Sequence, residues 1–425
     1  MSGDTRYLAY IQASGELPGS LRFQRVCVRA GKGGSTRLPR IEEEVHRMKI
    51  VDVITETFHY KSRVVRDADG HGHPGPEHDA TQTLLRIVTD EGIEGCCFGG
   101  PVDAIQRIAR SALIGEDPFY RERIWKRLNE WQRLHIGILS DKALCAVDLA
   151  LWDLAGHALN QPIHRLLGAY RDKVRAYAST MCGDELPGGL DTPEAYADFA
   201  EQCKERGYTA FKLHGWMPPI AWAPDARRDV AACRAVRQRV GAGMALMLDP
   251  FHYYSREEAL YIGRELEKLD FAWMEEPMDE HSTASYVWLT EQLALPICGP
   301  ETAEGKLQTR AEWIVQKASD ISRGGVWDVG GITPLMKIAH LCEAFGVSLE
   351  IHGNGVGNLH ALCAMPIPGA YYERGLLHPF LDYDQPPPWL HEAVDPMDSE
   401  GWVHVSPRPG LGLNINFDYI RSHTR

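Results

Sequence analysis

From about Arg171 onward the chain alternates short apolar runs with amphipathic stretches, and this rhythm restricts the possible folds more than any other feature. Strands are expected at VRAYAST, TAFKLH, ALMLDP, FAWMEEP, LPICGPE, SDISRG and VSLEIH. Between them, DTPEAYADFAEQCKERG offers Asp191 or Thr192 as a helix N-cap with Pro193 in the first turn, and SREEALYIGRELEKLD opens with Ser255. A strand followed by a helix and another strand needs a parallel sheet, because the helix carries the chain back to the starting edge. The unit repeats too often for two isolated βαβ motifs. A closed (β/α) barrel is the first expectation and a doubly wound open sheet the alternative.

Residues 48–170 read differently. KIVDVITETFHY and TLLRIVTDEGIEGCCF have strand alternation with a DEG hairpin turn, and the loop between them, DADGHGHPGPEH, is polar, rich in Gly and Pro, and expected to be mobile. DKALCAVDLALWDLAGHAL sets Leu144, Val147, Leu151, Leu154 and Ala155 at helical spacing, so a core-facing helix is expected in a small α+β domain. Residues 1–47 lack periodicity and read as a disordered leader, with Met48 as a candidate biological start.

Composition narrows the partner. A chain of 425 residues, 44% hydrophobic, can bury a large core, and its net charge of −13 argues against nucleic acid as a ligand. No apolar run approaches the roughly 20 residues of a membrane span, and the first residues lack a secretory pattern. The ten cysteines form no C-x-x-C, so reduced thiols and a cytoplasmic location are expected. A small polar substrate fits best.

Three expected strands end on an acid: Asp249 in LDP, Glu275 in MEEP and Glu301 in GPE, each 26 residues from the next. One strand–helix unit separates them, so all three carboxylates reach the same rim of the barrel. Converging carboxylates repel unless a cation lies among them, and an all-oxygen set suits Mg²⁺. Glu276 competes for the middle position, but alternation puts Glu275 on the same face as Trp273, and Glu276 takes a supporting role. Lys212 and His214 share a face at the end of TAFKLH, and His352 ends VSLEIH, so two proton carriers flank the acids from opposite walls. Glu373 in YYERG could complete the ring.

With these residues in place the sequence resembles the enolase superfamily, and within it the mandelate racemase subgroup of acid-sugar dehydratases and racemases. The resemblance rests on TDEGIEG, AVDLALWDLAGHALNQPIHRLLG, the acids in LDP, EEP and GPE, VGGIT, His352 and the closing PRPGLGLNI. It implies an N-terminal lid domain over 48–170, a modified (β/α)₇β barrel over 171–394, and a tail, 395–425, returning to the lid. Asp249, Glu275 and Glu301 take the metal-ligand positions. Lys212 and His214 take the K-x-K motif, with histidine where lysine is usual, while His352 takes the opposite wall and Glu373 the acid that meets the substrate carboxylate. The aspartate that usually orients the opposite histidine falls on Gly325, leaving Asp328 or another residue for that task.

The expected activity is Mg²⁺-dependent dehydration of a sugar acid, with removal of the proton α to the carboxylate and loss of the β-hydroxyl. Racemisation or epimerisation is the alternative, and a non-catalytic barrel a further one. In the lid, His59 and Arg63, with His71, His73 and His78, are candidates to bind substrate hydroxyls; Trp216 and Trp222 could wall the pocket or cover the rim, and Glu276 and Asp328 are counted with the substrate pocket. A homo-oligomer is implied by the resemblance alone.

Overall fold

The computed structural model describes residues 47–67, 70–366, 369 and 371–424. The expected leader, apart from Arg47, therefore lies outside the described residues. The chain from Arg47 to its end forms one compact unit.

It opens with a three-stranded antiparallel sheet, β1 (Ile50–Arg66), β2 (Gly72–Thr89) and β3 (Glu94–Phe98), in the order β1-β2-β3. The hairpin is longer than the sequence implies, because most of the stretch expected to be a mobile loop is strand. Past a register shift between Ser62 and Val64, pairing continues through Val64 with Pro74 and Val65 with His73. Pro74 lacks only a donor, which an edge position tolerates. The turn that remains is tied by Arg66, whose guanidinium donates to the Gly70 carbonyl at 2.6 Å.

Helix Asp141–Leu159 packs across this sheet, with Leu144, Val147, Leu151, Leu154 and Ala155 buried as its spacing requires. Strand and helix approach so closely at Gly95 that a Cβ there would lie 2.0 Å from the Ala150 carbonyl oxygen. Asp153 in this helix accepts from the amides of Cys96 in β3 and Leu411 in the tail, each at 2.7 Å, and so ties three segments together. The tail continues to helix Phe417–His423, where the Tyr419 hydroxyl donates to the His59 carbonyl.

The barrel strands follow: β4 (Lys173–Thr180), β5 (Ala210–His214), β6 (Ala245–Asp249), β7 (Trp273–Glu275), β8 (Ile297–Cys298), β9 (Ile321–Arg323), β10 (Ser348–Glu350) and β11 (Tyr371–Leu377). They pair in parallel in the order β10-β9-β8-β7-β6-β5-β4-β11, with helices between successive strands, which is a curled (β/α)₇β sheet. A short β12 (Trp402–His404) adds antiparallel to β4. The cap residues act as expected: Thr192 accepts from the Ala195 amide, and Ser255 forms a reciprocal capping box with Glu258.

Tyr177, Ala210, Met247, Trp273 and Cys298 fill the interior as one cluster. Two residues further along the same strands, the same inward face carries Ser179, Lys212, Asp249 and Glu275, because side chains alternate with period two. Among the described residues nine cysteines are free and buried, and no helix is long and apolar enough to cross a membrane.

The contact at Gly95 is testable. Gly95→Ala should force the sheet away from helix Asp141–Leu159 and destabilise the protein by about 1–3 kcal/mol, as overpacking of a close contact does. A thermal unfolding midpoint unchanged from wild type would contradict this.

Candidate active site

At the carboxyl ends of the barrel strands the acids form a buried ring threaded by two cations. The Lys212 Nζ lies 3.0 Å from Asp249 Oδ2, 2.8 Å from Glu275 Oε1 and 3.1 Å from Glu373 Oε1. Burial opposes its charge, but Glu275 and Glu373 hold the ammonium well above the ordinary lysine range. Lys212 is therefore a fixed cation.

Arg323 is the second cation, and sequence reasoning missed it. Its five N–H groups face five acceptors: Nε meets Glu301 at 3.2 Å, one terminal nitrogen meets the Tyr177 hydroxyl at 3.3 Å and the Ile351 carbonyl at 3.2 Å, and the other meets Glu275 at 2.6 Å and Glu373 at 2.8 Å. The signal was available, since Ile321 and Arg323 share a face in SDISRG and Ile321 is apolar. Glu373, expected to meet a substrate carboxylate, is instead saturated: Ser179 Oγ and Lys212 reach one oxygen, and Arg323 and the Gly353 amide reach the other. Lys212 and Arg323 hold its carboxyl well below the ordinary range despite burial.

The two histidines stand on either side. His214 Nε2 lies 3.0 Å from Asp249 Oδ2, while its Nδ1 is buried without a hydrogen-bond partner. Its backbone is fixed: the amide donates to Thr180 Oγ1 at 3.1 Å, and the Tyr196 hydroxyl donates to the carbonyl. Across the ring, His352 Nε2 lies 3.1 Å from Glu301 Oε1 and Nδ1 lies 2.8 Å from Asp328 Oδ2. Burial would lower this imidazole, but Asp328 and then Glu301 raise it to about 10, so it is an imidazolium at neutral pH.

Asp328 is thus the partner of His352, and Gly325 explains how. The Gly325 amide donates to Asp328 Oδ2 at 2.6 Å, which turns the carboxylate back toward the histidine. A Cβ at Gly325 would lie 2.2 Å from the His352 carbonyl oxygen. With this backbone, the orienting acid must come from one helical turn further on.

Glu276 lies beside the ring with no donor. It is fully buried with φ +26°, and neither carboxylate oxygen has a hydrogen-bond partner. Burial raises its carboxyl well above the ordinary range, and Glu301 and Asp249 add to the effect. Six carboxylates (Asp249, Glu275, Glu276, Glu301, Asp328 and Glu373) thus face Lys212, Arg323 and the His352 imidazolium. Carboxyl groups crowded and buried this closely, one of them with no hydrogen-bond partner, fit a divalent cation held by oxygen. Glu280 shapes the loop, accepting from the amides of Glu301, Thr302 and Ala303.

His59 is in β1 with its carbonyl taken by Tyr419, and Arg63 is exposed. Trp216 is buried, and Arg228 lies 4.7 Å from its ring and 4.4 Å from that of Trp222, a stack that secures the loop after His214. Among the described residues, the metal-type ligand atoms that converge within 4.8 Å belong to Asp67, His71 and His73, in the lid.

Comparison with known proteins agrees with this geometry. Residues 73–168 match the mandelate racemase / muconate lactonizing enzyme N-terminal domain, and residues 195–419 match the enolase C-terminal domain-like family. A crystal structure of D-glucarate dehydratase from Agrobacterium tumefaciens complexed with magnesium is 52% identical, superposes with a TM-score of 0.88, and aligns over 89% of this chain and all of its own. L-talarate/galactarate dehydratase of Salmonella typhimurium is 28% identical over 81% of this chain and 83% of its own. D-galactarolactone cycloisomerase of Agrobacterium fabrum is 30% identical over 79% of this chain and 89% of its own. The chain belongs to the enolase superfamily, in its mandelate racemase / muconate lactonizing enzyme group.

Proposed function

We propose that this enzyme dehydrates a sugar acid, an aldonate or aldarate, to the 2-keto-3-deoxy acid with Mg²⁺ as cofactor. The observation that carries the reading is the pair of imidazoles on opposite walls, each touching a ring carboxylate: His214 on Asp249 and His352 on Glu301. The similarity to D-glucarate dehydratase supports it.

Asp249, Glu275 and Glu301 are the proposed ligands, with Glu276 beside them. A bound Mg²⁺ supplies the positive charge that stabilises a carboxylate as its α-proton leaves. His214 is the base. With Nε2 directed at Asp249, Nδ1 is the nitrogen left to accept the α-proton. Lys212, held as an ammonium, cannot accept it and neutralises the charge beneath the reacting carbon.

His352 is the acid. Asp328 retains the Nδ1 proton, and the Nε2 proton passes to the β-hydroxyl as the β-carbon–oxygen bond breaks and water leaves. The enol that remains tautomerises to the ketone. The same two histidines could epimerise the α-carbon if His352 returned a proton there, and the likeness to a cycloisomerase favours keeping that reading in the test.

A panel of aldonates and aldarates with Mg²⁺ should yield a 2-keto-3-deoxy acid that carries solvent deuterium at C3 when the reaction runs in D₂O. Epimers without keto product would replace dehydration by epimerisation, and neither keto product nor α-proton exchange with any acid would refute both.

His214→Asn should lower kcat by about 10²–10⁴-fold, the range for loss of a general base, with Mg²⁺ affinity retained by calorimetry. Wild-type turnover would remove His214 from this role. Asp328→Asn should lower the pKa of His352 from about 10 toward the ordinary histidine range, read from the imidazole nitrogens by NMR. An unmoved titration would show that Asp328 does not hold the imidazolium.

A further inference from the structure

The segment that carries Asp328 is short, and little of its own chain fixes it. Asp328 lies in a one-turn helix, Val326–Val329, and the two glycines that follow, Gly330 and Gly331, take left-handed φ values of +86° and +125°. Barrel residues hold the front of this turn, where the Val326 amide donates to Asn358 Oδ1 at 2.9 Å. Its rear is held by the lid.

Two lid helices meet it there. Helix Arg121–Gln132 supplies Trp125, whose indole N–H donates to the Gly330 carbonyl at 2.8 Å. Helix Asp141–Leu159 supplies Asp148, 2% exposed, whose Oδ2 accepts the Thr333 amide at 2.9 Å and whose Oδ1 accepts the Thr333 hydroxyl at 2.5 Å. Trp152, one turn on, donates to the same hydroxyl oxygen at 3.0 Å. Nearer Asp328, a Cβ at Gly99, just past β3, would lie 3.3 Å from the Trp327 ring.

The contact at Thr333 is a helix cap supplied from the lid. Thr333 stands in the first turn of helix Ile332–Phe345, whose N-cap is Gly331, a residue with no side chain to offer. A Cβ at Gly331 would lie 2.3 Å from Asp148 Oδ2, so the glycine makes room for a carboxylate at the positive end of the helix. Burial raises the Asp148 carboxyl to about 6, against the bonds from Thr333 and the charge of Arg121, and it is an anion at neutral pH. The lid thus closes one end of a segment that also places Asp328 Oδ2 at 2.8 Å from His352 Nδ1.

We propose that Asp148 is a positioning residue for the acid wall: through Thr333, and with Trp125 on Gly330, it sets the place of Asp328 and so the aim of His352. The inference rests on the proposed role of His352 as the acid. It gives the lid a part in the chemistry that needs no contact with substrate. With the cap removed, two glycines leave the segment free to shift, and a misplacement of about 1 Å costs about 10²-fold in rate. His214, tied to Thr180 and Tyr196 on the opposite wall, keeps its place.

The test separates the two walls, using the Mg²⁺-loaded enzyme with D-glucarate or galactarate in D₂O. Proton removal at His214 is read as α-deuterium in the recovered acid, and proton delivery by His352 as keto acid formed. In Asp148→Asn, keto acid formation should fall about 10–100-fold while KM and Mg²⁺ affinity stay within about twofold. The ratio of exchange to product should rise, because the base still works while the acid is misplaced. Trp125→Phe keeps the ring and removes one donor; it should act in the same direction by a smaller factor, and it carries the test if Asp148→Asn does not fold. The Nδ1–H proton resonance of His352, identified by its loss in Asp328→Asn, should move in both variants.

Exchange and product falling together would mark a general structural role and overturn the inference, as would unchanged product in both variants. If the wild type forms epimers and no keto acid, the dehydratase reading fails; this inference then stands if epimer formation falls in Asp148→Asn with exchange retained, and is overturned otherwise. If neither acid reacts, the His352 proton resonance decides: a shift in the variants upholds the inference and an unmoved signal overturns it.

Discussion

The barrel interior must keep several carboxylates buried without letting them repel one another apart, and Lys212 and Arg323 make this possible. An isolated buried charge is costly, and removing one partner of a buried pair costs about 3–5 kcal/mol. Arg323 spends every donor on the ring and its walls, reaching Glu275, Glu301 and Glu373 together with Tyr177 and the Ile351 carbonyl. Lys212 closes the other side through Asp249, Glu275 and Glu373. Both cations come from strands whose register fixes their height in the barrel, so the acids are held at one level before any ligand arrives.

What the two cations leave unbalanced is as informative as what they balance. Glu276 faces Asp249 and Glu301 with no donor of its own, in a left-handed backbone conformation that non-glycine residues seldom adopt. Strain and unpaired charge persist only where the surrounding structure over-determines them, and they cluster where function needs them. The two histidines differ in the same sense. His352 is held charged by Asp328, while His214 keeps an unpartnered nitrogen, and on this asymmetry the proposed acid and base roles rest.

The lid contributes through packing. Helix Asp141–Leu159 is gripped by Gly95 on one side and, through Asp148, by the Thr333 amide and hydroxyl on the barrel side. The same helix ties down the tail through Asp153. Held at this seam by buried hydrogen bonds on both sides, the lid keeps one position against the barrel.

Much of this was legible in the residues. Strand–helix alternation dictated a parallel (β/α) sheet, equal spacing placed Asp249 and Glu275 at successive strand ends and Glu301 three residues past the next, and period-two alternation put Lys212 and His214 on one face. These follow from local periodicity, which sequence carries directly. The long hairpin was not legible, because Gly and Pro between Asp67 and His78 resemble a loop until strand pairing supplies their hydrogen bonds. Nor was the partner of His352: Asp328 reaches it only because Gly325 lets two backbones meet, a contact set by three segments at once. Sequence alone determined which side chains share a face and in what order they arrive at the rim. Tertiary structure decided which of them are paired and which are left unsatisfied, since that depends on distances across the barrel between residues far apart in the chain.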